Sequence, residues 1–226
     1  MSFLLNPFIF TPTTNSVISL TDLVAYYNMN DNVLGQSGNG YNGTLSGTTT
    51  YVNSPVSSGF GKAVSLTAAT TGHVTVPYTA DWNGAGGNKL SVFCRIKRNA
   101  TGDMTFVDRW TTWRLMARTA AGDILVRAGE GTASISSQNP GVGVNAHIGF
   151  TYDGSNIRVY KNGAQVGSNV AASGIMSGTE NLWIGRQHGG TNQYLSGDID
   201  EVIIYKRVLT AAEIAAIYSA TTGLIY

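Results

Sequence analysis

Three short stretches carry the side chains that could do chemistry on a saccharide. They are Asp81-Trp82-Asn83, then Asp108-Arg109-Trp110 with Trp113 and Arg114 beyond it, and Arg186-Gln187-His188 running on to Asn192-Gln-Tyr194. An aromatic face packs against the apolar side of a pyranose, while Asn, Gln, Asp, Arg or His reaches its hydroxyls. The glycan-binding candidates are therefore Trp82, Arg109, Trp110, Arg114, Gln187, His188, Asn192 and Tyr194. For each loop tryptophan the alternative is that it folds back over a sheet end. Trp113 and Trp183 begin or occupy strands and are expected in the core.

A second chemistry is carried by Gly197-Asp198-Ile-Asp200-Glu201. Alternate residues of a strand share a face, so Asp198 and Asp200 could offer the paired carboxylates of a retaining glycosidase, roughly 5 Å apart. Nucleophilic triads find no support. There is no Gly-x-Ser-x-Gly, and His73, His147 and His188 lack a Ser or Cys context. No His pair has metal-ligand spacing, and His147, in an apolar strand, reads as structural. The single cysteine, Cys94, excludes an internal disulfide and a zinc-cysteine cluster. It shares a strand face with Leu90, Val92 and Ile96 and is expected to be buried and inert.

The elements that position these groups follow from composition. Gly 28, Thr 25, Ser 19 and Asn 18 make up two-fifths of 226 residues, and such residues favour turns and strands over helix interiors. Strand signals recur at short intervals: residues 23–29, 63–66, 73–76, 89–97, 104–107, 113–117, 123–128, 147–152, 156–160, 165–166, 182–185 and 199–205. Asp153-Gly154 and Asn162-Gly163 mark tight hairpins. One helix is expected, residues 210–218, opened by a Thr210/Glu213 capping box, with Ile214, Ile217 and Tyr218 as its apolar face. The expectation is an all-β, antiparallel two-sheet sandwich with a short C-terminal helix, occupying residues 21–226.

Charge narrows the function. Lys and Arg number 14 against 13 acids, net +1, and only 12% of residues are charged. A phosphate-tracking nucleic-acid binder and a polybasic membrane anchor are excluded. Residues 1–20 differ in character from the rest. They read as an extended arm whose Phe3, Leu4, Leu5, Phe8, Ile9 and Phe10 could dock on a partner. The same stretch is too short to span a membrane. It has no Lys or Arg, is broken by Asn6 and Pro7, and does not read as a signal peptide.

Several stretches in fixed order resemble the laminin-G-like, concanavalin A-like jelly roll family. They are Leu23-Val-Ala-Tyr-Tyr-Asn-Met-Asn-Asp31 with Ser37-Gly-Asn-Gly-Tyr-Asn-Gly43, Gly61-Lys-Ala-Val-Ser-Leu66, and His73-Val-Thr-Val-Pro77. Asn145-Ala-His-Ile-Gly-Phe-Thr-Tyr-Asp-Gly154 and Val159-Tyr-Lys-Asn-Gly163 are similar to the family's central hairpin. Leu182-Trp-Ile-Gly-Arg186 and the run from Gly197 through Asp200 and Glu213 to Ile214 are the most specific. The resemblance covers residues 22–220.

It implies a concanavalin A-like jelly roll but does not choose a function, because the family includes sugar-binding modules, adhesion domains, pentraxin-like lectins, glucanases and phage tail or capsid domains. The glucanase pattern wants a further acid where this chain has Ile203, so binding rather than hydrolysis is expected. The resemblance also implies a structural calcium, with Asp31, Asn39, Asp198 and Asp200 as donors. One carboxylate of that pattern is replaced by Gly35 and Gln36. The resulting expectation is a non-enzymatic virion surface protein, a capsid decoration or tail-fibre component released by lysis. Its arm would hold other virion proteins and its loops host polysaccharide, within a homo-oligomer or larger assembly. A secreted carbohydrate-binding or adhesion module is the alternative, and a glycoside hydrolase the third reading.

Overall fold

The computed structural model describes residues 18–55, 58–110, 112–119, 122–189 and 193–220. In chain order the strands are β1 (Leu23–Tyr27), β2 (Thr44–Ser46), β3 (Thr49–Asn53), β4 (Lys62–Leu66), β5 (His73–Val76), β6 (Leu90–Arg98), β7 (Met104–Arg109) and β8 (Trp113–Arg118). They continue as β9 (Asp123–Ala128), β10 (Gly131–Ile135), β11 (Asn145–Tyr152), β12 (Asn156–Lys161), β13 (Ala164–Ala171), β14 (Leu182–Ile184) and β15 (Gly197–Tyr205), followed by helix α1 (Ala211–Ser219). Eight strands form one antiparallel sheet, β13-β12-β11-β6-β15-β4-β3, with β1 also paired to β15. Seven form the other, β10-β9-β8-β7-β14-β5-β2. This is the expected jelly roll sandwich.

Alternation along β6 shows why the sheets stack. Leu90, Val92, Cys94 and Ile96 point into the main core between the sheets, where they meet Ile148, Phe150 and Ile199. Phe93 points the other way, into a second cluster with Tyr26, Tyr160, Ile203, Tyr205, Leu209, Ile214 and Ile217. The strand is thus covered on both faces, by the partner sheet and by α1. Burial pushes the Cys94 thiol far up, so it is inert.

A nine-residue helix is marginal alone, and this one is held at both ends. Thr210 Oγ1 accepts from Glu213 N and Glu213 Oε2 accepts from Thr210 N, the expected capping box. Arg207 grips Glu213 at 2.6 and 3.0 Å and holds its carboxyl down to about 2. At the far end Arg95 Nη2 donates to the carbonyls of Ile217, Tyr218 and Ala220, satisfying groups that a helix end leaves open. Ile214 and Ile217 are buried, whereas Tyr218, expected on the same face, is 41% exposed.

Three strands lack a counterpart in the sequence reading: β2, β3 and β10. Each is rich in Thr, Ser or Gly, and all three are sheet-edge strands, so they show little apolar alternation. Ile18, within the expected arm, is buried in the second cluster. The docking residues Phe3, Leu4, Leu5, Phe8, Ile9 and Phe10 lie outside the described residues. No helix among the described residues is long and apolar enough to cross a membrane.

Candidate functional site

Leu182 and Ile184 of β14 are buried in the main core, so Trp183 between them faces out of the sandwich. It was expected in the core. Trp183 lies opposite Thr75 on β5 and Asp108 on β7. The register continues from Asp108 to Arg114 on β8, Arg127 on β9 and Thr132 on β10, and from Thr75 to Thr44 on β2. One row of side chains therefore crosses all seven strands on the outer face. Cross-strand partners share a face, and every member except Asp108 is at least partly exposed.

Two loops fold over this row. The first is the β7–β8 hairpin, whose Trp110 takes φ 38°, a left-handed conformation that a bulky residue rarely adopts. The second follows β14. Gly185, at φ 86°, turns the chain where a Cβ would strike Leu66 Cδ1. Gly185 N donates to Phe106 O and Leu195 N donates to Gly185 O, closing the loop that carries Arg186 to Tyr194. His188 N donates to Asp108 Oδ2 at 2.7 Å, which draws the loop down onto the sheet.

The result is a continuous stack. The His188 ring lies 4.5 Å from Trp183, nearly parallel, and 4.6 Å from Trp110, edge to face. The Arg186 guanidinium lies 5.9 Å from the Trp183 ring and 5.3 Å from that of Tyr194, within cation–π range. His73 follows, 6.1 Å from Tyr194. Its Nδ1 lies 2.7 Å from Thr71 O, so Nδ1 carries the proton and Nε2 faces Arg186 Nη1 at 3.5 Å as acceptor. Burial, then the nearby Arg186, lowers the His73 pKa. Asp108 is raised by burial, against the pull of Arg114 at 2.7 Å. Gln187 Oε1, His188 Nδ1 and Gln193 Oε1 are buried side-chain atoms with no hydrogen-bond partner among the described residues, all on this one loop.

Of the glycan-binding candidates, Trp110, Arg114, Gln187, His188 and Tyr194 are brought to this face, and Asn192 lies outside the described residues. Trp82 and Arg109 are corrections. Trp82 is 0% exposed; its Nε1 donates to Pro77 O and its carbonyl accepts from Trp113 Nε1, so it plugs the main core. Arg109 is also 0% exposed and donates to Asn83 Oδ1, Gly178 O and Glu180 O, pinning two loops together. Neither presents a surface to a ligand. Trp183, Arg127 and His73 join the site from outside the three stretches, and Asp108 and Arg186 join it from within them, though neither was singled out as a glycan-binding residue. The Leu-Trp-Ile alternation was the signal available for Trp183.

The acidic candidates belong elsewhere. Asp198 and Asp200 lie on β15, opposite Lys97 and Arg95, in the other sheet. Asp200 is 0% exposed; Ser54 Oγ donates to its Oδ2 and Glu201 N to its Oδ1. Burial pushes its carboxyl up to about 7. A side chain so enclosed cannot reach an anomeric carbon as the hydrolytic reading requires. The calcium candidates are engaged with other partners. Asp31 is paired with Lys62 Nζ at 2.7 Å, and the Asn39 amide donates to Leu23 O and Val24 O. No group of three or more His, Cys, Asp or Glu among the described residues is placed to hold a metal.

Residues 68–215 match a laminin G family model described as the concanavalin A-like lectin/glucanases superfamily. No curated protein matches in sequence. Among solved structures, domain 4 of AbnA, a GH43 extracellular arabinanase from Geobacillus stearothermophilus, in complex with arabinotriose, is similar at TM-score 0.69 and 20% identity, covering 88% of this chain and 98% of that one. The binding domain of Paraclostridial Mosquitocidal Protein 1 is similar at TM-score 0.72 and 14% identity, over 88% of this chain and 52% of that one. The binding domain of botulinum neurotoxin DC, in complex with rat synaptotagmin II, is similar at TM-score 0.66 and 14% identity, over 88% and 51%. The chain thus spans about half of each of these toxin binding domains. Two antiparallel sheets, the helix over the larger one and a family match across well over half its length place this chain in the concanavalin A-like lectin/glucanase superfamily.

Proposed function

We propose that this domain is a non-catalytic glycan-binding module. Its saccharide lies across the outer face of the seven-stranded sheet, against Trp110, Trp183 and Tyr194. The observation that carries this reading is the seven-residue row capped by the Trp110–His188–Trp183 stack: aromatic faces beside oriented polar groups on a solvent-facing sheet. The arabinotriose-bound relative supports a saccharide as the ligand.

Backbone strain at Trp110 supplies the test. A non-glycine residue held at positive φ costs of order 1–3 kcal/mol and persists where its side chain is needed. Trp110→Gly removes that strain while losing the His188 ring contact, worth about 0.5–1.5 kcal/mol. Thermal unfolding is therefore expected to shift by no more than a few degrees. Saccharide affinity, read on a glycan array and by calorimetry, is expected to fall at least about tenfold. Undiminished affinity contradicts the proposal, and a large loss of stability would make Trp110 a packing residue.

A further inference from the structure

Resting on that reading, we infer that the saccharide is acidic, carrying a carboxylate or sulfate that Arg186 receives, with Arg127 as a second cation along the row. Arg186 forms no ion pair among the described residues, which include all 13 Asp and Glu of the chain. Its hydrogen bonds are long for a guanidinium: Nε to Gln187 O at 3.4 Å and Nη1 to His73 Nε2 at 3.5 Å. What holds it is two aromatic faces, Trp183 and Tyr194, which orient the fork without neutralising it.

The rest of the face leaves the same imbalance. Two carboxylates lie on its outer side: Asp108, whose two oxygens are taken by Arg114 at 2.7 Å and by His188 N, and Asp123 on β9, which accepts from Ser134 Oγ and forms no ion pair among the described residues. Arg127, directly opposite Arg114, is exposed and makes no ion pair among the described residues. Arg186 and Arg127 thus remain as uncompensated cations on a sheet whose aromatic groups suit a sugar ring. A planar guanidinium takes a carboxylate or sulfate through paired N–H donors, and the adjoining ring packs on the apolar face of the pyranose. A neutral polysaccharide would leave that charge unanswered.

The experiment is a glycan array of matched pairs sharing one backbone with and without its acidic group. Polygalacturonate is set beside its carboxyl-reduced form, and dextran sulfate beside dextran. Wild type, Arg186→Gln, Arg127→Gln and Trp110→Gly are compared, with far-UV circular dichroism confirming that each is folded. The acidic member of at least one pair is expected to bind about tenfold or more tightly than its uncharged partner. That preference should shrink in Arg186→Gln and Arg127→Gln, and the affinity should fall from about 50 to about 500 mM NaCl. Which pair discriminates separates carboxylate from sulfate. Equal binding of both members of every pair that binds, lost in Trp110→Gly, would overturn the acidic inference and leave the glycan reading standing. Absence of binding across the whole array would overturn both.

Discussion

The His147→Phe variant is expected to lose about 2–3 kcal/mol of stability as pH rises from 5 to 7.5, whereas the wild-type domain stays nearly flat. His147 is buried between Phe93 and Tyr218, ring centroids at 5.3 and 6.1 Å, with neither ring nitrogen hydrogen-bonded. Burial first, then the Arg95 charge, pushes its pKa down to about 3 from 6.5. Between those values the unfolded chain binds the proton and the folded one does not. Stability from this group is complete above pH 6.5 and falls as pH drops, by about 2 kcal/mol at pH 5. Phenylalanine keeps the stacked ring and removes the proton. The opposing trend of Asp200 is then exposed, and urea unfolding at the two pH values reads it. A variant as flat as wild type would contradict the assignment.

Asp200→Asn is expected to tilt the other way, gaining about 2 kcal/mol from pH 5 to 7.5. The Asp200 carboxyl is raised from 3.8 to about 7 by burial, against the favourable pulls of Ser54, Glu201 N and Arg95. From pH 3.8 to 7 the folded state binds more protons than the unfolded one, so stability from this group falls as pH rises, by about 4 kcal/mol in all. Asparagine can still accept from Glu201 N and donate to Ser54, so the contact survives while the buried charge goes. The variant should therefore exceed wild type at pH 7.5 and show the rise contributed by His147. Opposite slopes in the two variants are the signature. Parallel slopes would mean that other groups dominate the window.

These two residues also mark where sequence reading reached its limit. Alternation put Asp198 and Asp200 on one face correctly, and the strand pairing bears that out. Which face it was, and that Ser54 and the second apolar cluster enclose it, depended on β4, β6 and α1 arriving from elsewhere in the chain. The helix was legible to its capping box because a cap is local. Its C-terminal clamp by Arg95 was not, being 122 residues away for the Ile217 carbonyl.

The tryptophans divide in the same manner. Trp82 and Trp110 stand in similar loops, and nothing local separates the one whose Nε1 finds Pro77 O in the core from the one left at positive φ beside His188. Trp183 was legible in principle, because an aromatic between two core aliphatics of a strand must face the other way. The row it belongs to became visible only through registers spanning seven strands. Edge strands β2, β3 and β10 were missed for a related reason. Their Thr and Ser face water, and pairing with a neighbour rather than apolar pattern makes them strands.

The central claim is that a saccharide lies on the outer face of the seven-stranded sheet, and the four tryptophan indoles report on it directly in a ¹H–¹⁵N spectrum. Titration with the saccharide selected on the array is predicted to move the Nε1–H signals of Trp110 and Trp183 and the amides of residues 186–189. The signals of Trp82 and Trp113, bonded to Pro77 O and Trp82 O in the core, should stay in place. Shifts confined to β6, β11 and β15 of the other sheet, with Trp110 and Trp183 unmoved, would contradict the account.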